Sequence, residues 1–246
     1  MWHGQIGGKA QREAEQDYVS PGQTVDETHG RLLLSRRKYS ADAVLLLARL
    51  PEPGQVKTRL SPRLSPQGCA AVHGWLLQDA LVRLQDLPVA RRWLWCGDPA
   101  AGQALLHSAA RRGWALQRQA DGDLGARMYH ALRLALQRHE RVVLIGSDCP
   151  GLDTQRIHQA LALLRSYPLV FNPAHDGGYI LIGMTRKALG ARGLFADMPW
   201  GSERVLRESL LRARRAGLPV GLLPPLADID RPEDLPGSSV PERIWR

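Results

Sequence analysis

The sequence predicts a single α/β domain, in which a doubly wound, mainly parallel β-sheet carries helices on both faces. Two observations indicate this class. Strand-like and helix-like patterns alternate from Asp42 onwards. The strand-like runs Ala43–Ala48 and Val142–Ile145 are apolar throughout, as in strands that are covered on both faces. A chain of 246 residues, 44% of them hydrophobic, is long enough to bury the core of such a domain.

Three segments are expected along the chain. Residues 1–40 are polar, contain glycines and mixed charges, and show no sustained period. We interpret them as a disordered or mis-assigned N-terminal extension. Residues 41–236 form the predicted α/β domain, and residues 237–246 form a C-terminal tail.

The predicted strands are short apolar runs separated by turn residues. In chain order they are Ala43–Ala48, Trp93–Cys96, the weaker Trp114–Gln119, Val142–Ile145, Leu169–Asn172, Tyr179–Met184 and Val220–Leu223.

The predicted helices lie between these strands and begin at capping residues. Ser65 and Pro66 open a helix to about Leu84, because serine caps a first turn and proline suits its first position. Two further helices run from Asp98–Pro99 to Gly113 and from Asp153 to about Tyr167. The helix over Leu124–His139 has one apolar stripe, formed by Leu124, Met128, Leu132 and Leu136. The last helix begins at Ser202 and directs Val205, Leu206 and Leu210 inward.

Composition excludes several functional classes. No apolar run approaches the roughly 18 residues that span a membrane, and residues 1–40 lack an apolar stretch of signal-peptide length. The three cysteines are widely spaced, which argues against a disulfide framework or a zinc cage. We therefore expect a cytoplasmic protein with no membrane partner. The sequence also lacks the G-x-S-x-G and H-E-x-x-H motifs of serine hydrolases and zinc proteases.

The formal net charge is +9. Such a charge suits a nucleic acid, an anionic membrane or a phosphorylated substrate. The arginines are spread over several predicted helices and form no basic tract interleaved with aromatic residues. We interpret the basic surface as solvated and expect no nucleic-acid partner.

The loop after the first strand is the first candidate site, because sheets of this class bind ligands at the carboxyl ends of their strands. Gly54 offers backbone amides at close approach, and Lys57 and Arg59 supply cations. This combination suits phosphates, although the Walker and dinucleotide-binding motifs are absent. The alternative is a solvated basic loop.

Two carboxylates follow other predicted strands. Asp148 ends the strand Val142–Ile145, where a carboxylate can reach a metal that bridges phosphate oxygens. Asp230 follows Val220–Leu223. The alternatives are a turn residue at Asp148 and a helix cap at Asp230, paired with Glu233 in an acidic capping box.

A glycine pair lies in the loop between the predicted strands Leu169–Asn172 and Tyr179–Met184. His175, Asp176, Gly177, Gly178 and Tyr179 form a segment in which a ligand can approach the backbone closely. His175 and Asp176 are candidate bases. The alternative is a tight hairpin with Gly177–Gly178 as its turn, which does not exclude a function.

Two further loops enter helices. The backbone around Gly122 and Asp123 can accept a nucleobase or a phosphate, or Asp123 simply caps the helix. Trp200 can stack on a ligand or close the edge of the core.

Six segments in this order resemble a bacterial family of glycosyltransferase-A-like proteins, within the nucleotide-diphospho-sugar transferase superfamily, that is labelled radical-SAM/selenodomain-associated transferase. The resemblance covers about residues 43–235. Its signatures are P-x-P-G-x-V-K-T-R-L, G-D-L-G-x-R-M, L-I-G-S-D-C-P, D-G-G-Y-x-L-I-G, P-W-G-S and D-I-D-x-P-E-D-L. Two departures are Arg231, where related nucleotidyltransferases have threonine, and the lack of a D-x-D motif near Asp148.

The resemblance implies a doubly wound sheet and a divalent metal, Mg²⁺ or Mn²⁺, between Asp148 and Asp230. It places Lys57 and Arg59 at the nucleotide phosphates. It also places the segment Asp176–Tyr179 and Trp200 at the second substrate.

A metal-dependent transferase is the function that these features favour, with Lys57, Asp148 and Asp176 as catalytic residues. The donor is a nucleotide or a nucleotide-sugar, and the acceptor is a small molecule. Nucleotidyl transfer from an NTP and glycosyl transfer from an NDP-sugar both fit. The alternative is a non-catalytic nucleotide-binding or scaffold protein.

Overall fold

A computed structural model describes residues 40–97 and 103–245 of the chain. The strands and α-helices in these ranges are β1 (Ser40–Leu47), α1 (Pro66–Arg83), β2 (Arg91–Cys96), α2 (Gln103–Arg111), β3 (Ala115–Arg118), α3 (Leu124–Ala135), β4 (His139–Ile145), α4 (Thr154–Leu163), β5 (Leu169–Pro173), β6 (Tyr179–Thr185), α5 (Val205–Arg215), β7 (Val220–Leu222) and α6 (Glu242–Trp245). Short 3-10 helices span Thr58–Leu60, Arg186–Ala188, Arg192–Leu194 and Pro232–Asp234.

The strands form one seven-stranded sheet in the order β3-β2-β1-β4-β6-β5-β7. Neighbouring strands are parallel except at β6, which runs antiparallel to both β4 and β5. The predicted α/β class is confirmed. Because β6 is reversed, the carboxyl ends of β1 and β4 share one edge of the sheet with the hairpin between β5 and β6.

Helices cover both faces of the sheet, and the side chains of β1 alternate between them. Val44 and Leu46 pack in a core with residues of α1, α2 and α4. Ala43 and Leu45 pack on the other face with residues of α3 and with Ala213 of α5. All four side chains have no exposed surface, which explains why this strand is apolar throughout.

A third apolar cluster joins the loop after β1 to the C-terminal part of the chain. Its buried members are Leu60, Leu64, Cys69, Val72, Leu76, Ile229, Leu235, Val240 and Trp245. Trp245 also donates its indole N–H to the carbonyl oxygen of Val240, at 3.1 Å. The segment predicted as a C-terminal tail therefore packs on α1 where the structure describes it. The prediction for residues 1–40 lies outside the described residues, except that Ser40 begins β1.

Three of the predicted caps are confirmed by side-chain hydrogen bonds. Ser65 accepts from the N–H of Gly68, Asp123 from that of Ala126, and Asp153 from that of Arg156. The predicted cap at Asp98–Pro99 lies outside the described residues.

Three helix boundaries differ clearly from the prediction, and the first is the end of α4, which was predicted at about Tyr167 and lies at Leu163. The helix predicted over Leu124–His139 ends at Ala135, and His139 instead begins β4. The guanidinium of Arg186 binds the carbonyl oxygens of Leu136 and Gln137, at 2.5 and 2.9 Å, which satisfies this end of the helix. Leu124 is 45% exposed, so it does not belong to the buried stripe.

The start of α5 also differs. Ser202 was predicted to cap this helix, but the N-cap position is Arg204. The Ser202 hydroxyl donates to the carbonyl oxygen of Pro199 at 2.8 Å instead, because the chain makes an additional turn before the helix begins.

Within the described residues, no helix is both long and apolar enough to cross a membrane.

Candidate active site

A cleft of about 510 Å³ opens where β1 and β4 end. This volume lies within the range of small-molecule sites. Its walls come from the loop after β1, from α1 and the start of α3, from the end of β4, and from the β5–β6 hairpin and the loop before α5. Polar side chains in the wall include Lys57, His73, Gln119, Asp123, Arg127, Ser147, Asp148, Asp176 and Asp230.

The loop after β1 turns sharply twice before it reaches the cleft. Gly54 has φ 77, which glycine adopts readily. Lys57 has φ 49 and ψ 35, a left-handed conformation that costs a residue with a side chain roughly 1 kcal/mol. This backbone directs the Lys57 side chain inward, where only 3% of it remains exposed.

The ammonium of Lys57 lies between the two predicted metal carboxylates. Its Nζ is 2.8 Å from Oδ2 of Asp148 and 3.7 Å from Oδ1 of Asp230. It also donates a hydrogen bond to the carbonyl oxygen of Ile229. The structure therefore brings Lys57, Asp148 and Asp230 together at one point, across sequence separations of up to 173 positions.

Arg59 lies on the outer side of the same cluster. It donates to Oδ2 of Asp230 at 2.6 Å and to the carbonyl oxygen of Gly201 at 2.8 Å. The hydrogen bond and the charge of Asp230 raise the pKa of Arg59. The guanidinium side chain is 46% exposed, so it lies at the protein surface beside the cleft.

The carboxylate of Asp148 is held by the Lys57 ammonium and by a hydroxyl. Burial raises the pKa of Asp148, but the charge and hydrogen bond of Lys57 outweigh this effect, so the pKa lies below its usual value. Ser147 donates its hydroxyl to Oδ1 at 3.2 Å. Asp148 is therefore ionised at neutral pH.

Asp230 is not the cap of the following 3-10 helix. The carboxylate of Asp234 accepts the N–H groups of Asp230 and Arg231, at 2.9 and 2.7 Å. The capping role predicted for the pair of Asp230 and Glu233 thus belongs to Asp234. Because of this arrangement, the carboxylate of Asp230 faces the cluster with Lys57 and Arg59.

His73 is a site residue that the sequence analysis missed. It lies on α1 and is 5% exposed. Its Nε2 lies 2.9 Å from the carbonyl oxygen of Arg49, so Nε2 carries the proton and donates. Its Nδ1 lies 3.8 Å from Oδ1 of Asp148. Burial lowers the pKa of His73 despite this carboxylate, so the ring is neutral.

The glycine pair forms a hairpin that also contributes to the cleft. Gly177 has φ 86, and a Cβ atom there would lie 2.1 Å from the carbonyl oxygen of Glu203. Gly177 also accepts the N–H of Leu206 at 2.9 Å, so the tip of the hairpin docks on α5. Oδ1 of Asp176 accepts the N–H of Gly178 at 2.8 Å, which orients the carboxylate at the cleft.

The aromatic residues Tyr179 and Trp200 form part of the cleft wall. The ring centroids of Tyr179 and Trp200 are 6.4 Å apart in an edge-on arrangement, and those of Tyr179 and Phe171 are 4.9 Å apart. Burial raises the pKa of Tyr179, although a hydrogen bond to Ser209 opposes it, so the phenol stays neutral. Tyr179 and Trp200 therefore present rigid, uncharged surfaces.

The remaining predicted residues divide into two groups. Gly122, Asp123 and Gly178 line the cleft. Gly54, Arg59, His175 and Gly177 are not part of its lining. His175 is exposed, and Arg59 instead lines a smaller adjacent depression.

Asp228 lies near the carboxylates of Asp176 and Asp148 and has an unusual pKa. Burial, and next the charge of Asp176, raise its pKa to about 6. The folded protein therefore binds a proton at Asp228 more readily than the unfolded chain does. Its charged form destabilises the fold above about pH 6, and this penalty disappears as the pH falls towards the unfolded value of about 3.9.

We accordingly expect Asp228→Asn to raise the melting temperature at about pH 8 in metal-free buffer, with the gain vanishing near pH 4. Thermal unfolding of both proteins across this range measures the difference. Glu140→Gln, which removes an exposed carboxylate from β4, is the control for net charge. A gain that persists in acid would mean that Asp228 is not the titrating group.

Comparisons with known proteins support the fold described above. A sequence model of the DUF2064 family, described as "uncharacterized protein conserved in bacteria", matches residues 80–202, half of the chain. The "putative nucleotide-diphospho-sugar transferase" from Desulfovibrio desulfuricans G20 is 33% identical, with a TM-score of 0.67 over 78% of this chain and 83% of that one. Among curated proteins, none matches the sequence significantly.

More distant solved structures share the fold alone. CMP:2-keto-3-deoxy-manno-octonic acid synthetase in complex with CTP is 14% identical, with a TM-score of 0.52 over 80% of this chain and 96% of that one. A cytidylyltransferase from Leptospira borgpetersenii serovar Hardjo-bovis is 15% identical, with a TM-score of 0.54 over 79% and 83%. The resemblance to nucleotide-diphospho-sugar transferase folds is confirmed, whereas the radical-SAM/selenodomain label stays a prediction.

Proposed function

This chain belongs to the DUF2064 family of bacterial proteins, and we propose that it is a metal-dependent transferase that takes a glycosyl group from a nucleoside diphosphate sugar. The observation that carries the proposal is the convergence of Asp148 and Asp230 on one cation at the carboxyl edge of the sheet. The relative that is 33% identical is described as a "putative nucleotide-diphospho-sugar transferase", which supports a nucleotide-sugar as the donor.

The residues present fit a divalent metal. A single positive atom, Nζ of Lys57, already lies within 3.7 Å of an oxygen of each carboxylate. No group of three or more histidine, cysteine or acidic residues in the described part of the chain could hold a metal by itself. Asp148 and Asp230 would therefore share Mg²⁺ or Mn²⁺ with donor phosphates and waters, the oxygen ligands that these ions prefer. Such an ion would neutralise the diphosphate leaving group.

The chain's own groups would then bind and orient the two substrates. Lys57 and Arg59 supply positive charge for the donor phosphates. Tyr179 and Trp200 form a wall against which a small acceptor can pack. Asp176 lines the cleft with a carboxylate that is oriented by Gly178, and would take the proton of the acceptor hydroxyl as that oxygen attacks the sugar.

Nucleotidyl transfer from an NTP is the second candidate. It is favoured by the position of two cationic side chains, Lys57 and Arg59, directly after β1. In that reaction an anionic acceptor attacks the α-phosphate, and pyrophosphate leaves. The two candidates share the metal carboxylates and differ in the product that leaves the donor.

Thermal unfolding with NTPs and NDP-sugars, each with Mg²⁺, Mn²⁺ or a chelator, tests the proposal. We expect one donor to stabilise the protein only in the presence of metal. At about 100 times its Kd the gain is about 2.7 kcal/mol, or roughly 5–10 °C for a domain of this size.

Phosphorus NMR of that donor after incubation with candidate acceptors then identifies the reaction. Release of a nucleoside diphosphate identifies glycosyl transfer, and release of pyrophosphate identifies nucleotidyl transfer. Stabilisation that is equal with chelator and with metal, and no product from any donor, would favour a non-catalytic nucleotide-binding protein.

A further inference from the structure

The position between Asp148 and Asp230 is occupied by an ammonium of the chain itself. Nζ of Lys57 is 2.8 Å from one carboxylate and 3.7 Å from the other. A metal ion shared by the two carboxylates would compete with this ammonium for the same oxygens, because two cations repel each other strongly at short range.

We propose that Lys57 is a built-in counter-ion of the metal site, so that metal binding requires its ammonium to leave the carboxylate pair. This inference rests on the proposed function, because it assumes that Asp148 and Asp230 hold a metal during the reaction. It adds a regulatory property: the free protein keeps its cation site closed with its own side chain.

The backbone of Lys57 supports a specific role for this contact. The residue is one of two non-glycine residues with positive φ in the described ranges, the other being Asp197. A left-handed conformation persists at a residue with a side chain only where the surroundings enforce it. Here the conformation places a side chain that is 97% buried against two carboxylates and the carbonyl of Ile229.

A displaced Lys57 needs another anionic partner. Its side chain is buried, and an ammonium that loses its acceptors without gaining water or another anion is costly. The phosphates of the donor meet this need because they enter the same cleft. Metal and donor are therefore expected to bind synergistically, with the metal on the carboxylates and Lys57 on the phosphates.

Arg59 provides a local comparison. It lies 2.6 Å from Asp230, but nearly half of its side chain is exposed and it makes no ion pair with Asp148. It hydrogen-bonds one oxygen of Asp230 directly but does not lie between the two carboxylates. Lys187, which is exposed and remote from the cleft lining, provides a distant comparison with the same loss of charge.

The experiment measures Mn²⁺ binding without nucleotide, by electron paramagnetic resonance of the free ion. Lys57→Met removes the ammonium and keeps the length of the side chain. We expect it to bind Mn²⁺ at least tenfold more tightly than the unmodified protein. Arg59→Met should change the affinity by less than about threefold, since an exposed charge is screened, and Lys187→Met should not change it.

The outcomes separate this inference from the proposed function. If Lys57→Met binds Mn²⁺ no more tightly than the unmodified protein, and Asp148→Asn abolishes that binding, the metal pair stands and the counter-ion role is refuted. If neither the unmodified protein nor Lys57→Met binds Mn²⁺, with or without ADP, CDP, GDP or UDP, the metal pair is refuted as well.

A second measurement requires no variant and serves if Lys57→Met does not fold. Acetic anhydride modifies accessible lysine amines, and mass spectrometry quantifies each site. We expect Lys57 to be protected from acetylation in the free protein and to become reactive at saturating Mn²⁺. Lys187 should react equally under both conditions. Mn²⁺ binding that leaves Lys57 protected would refute the exchange.

Discussion

Asp148→Asn is expected to abolish metal-stimulated donor binding and to lower the transferase rate by at least a hundredfold, since it removes a charge that the metal and Lys57 share. The Asp148→Asn substitution should also destabilise the folded protein, which the loss of a solvated surface carboxylate would not do. Lys57 is almost fully buried beside this carboxylate, and a buried ammonium without its partner costs about 1–3 kcal/mol. Calorimetric donor titration and thermal unfolding measure the two effects.

The stability loss has a predicted pH dependence. The pKa of Asp148 lies below its usual value in the folded protein, so its contribution is present above the unfolded value of about 3.9 and is lost as the pH falls through the folded value. The difference between the unmodified protein and Asp148→Asn should therefore shrink in acid.

Asp153→Asn is the matched control, because it makes the same chemical change at the cap of α4, where asparagine can still accept the hydrogen bond from Arg156. Donor binding that is equal in Asp148→Asn and Asp153→Asn would remove Asp148 from the site.

Gly125→Ala is expected to lower the free energy of unfolding by about 1–3 kcal/mol, the usual range for overpacking. Gly125 lies in the first turn of α3, and a Cβ there would lie 2.2 Å from the carbonyl oxygen of Phe195 and 2.9 Å from Cζ2 of Trp200. In an open helix the same change would stabilise by up to about 1 kcal/mol, so the sign of the effect identifies the cause.

Gly190→Ala is the control for this prediction, because an added Cβ at Gly190 would meet no heavy atom within 4 Å. Chemical unfolding compares both variants with the unmodified protein. Since Trp200 lines the cleft, Gly125→Ala should weaken substrate binding as well. A gain in stability at Gly125 would show that the loop around Phe195 moves away without cost.

Local patterns predicted most of the elements. The apolar run in β1 and the caps Ser65, Asp123 and Asp153 each depend on neighbouring residues, and each is found where the sequence places it. The reversed direction of β6 could not be read in this way, because an apolar run has the same pattern in both directions. The start of α5 was misplaced because the Ser202 hydroxyl donates to the carbonyl oxygen of Pro199 within an additional turn that precedes the helix.

The candidate site was predictable to the extent that it follows strand ends. Lys57, Asp148 and Asp230 all follow strands, and the shared sheet edge brings them together. His73 was not predictable, because a histidine on the apolar face of a helix has the pattern of a core residue. The capping role of Asp234 was not predictable either, because Asp230 and Asp234 are only four positions apart and both are carboxylates that can accept backbone N–H groups.

The position of Asp230 near the end of the sequence affects the stage of folding at which the protein becomes able to bind its donor. The ion pairs of the site join residues up to 173 positions apart, and the central pairing of β1 with β4 spans about a hundred residues. Closing such long loops is slow compared with forming helices. Donor capture should therefore appear only after the final segment has docked, which makes nucleotide binding a sensitive reporter of complete refolding.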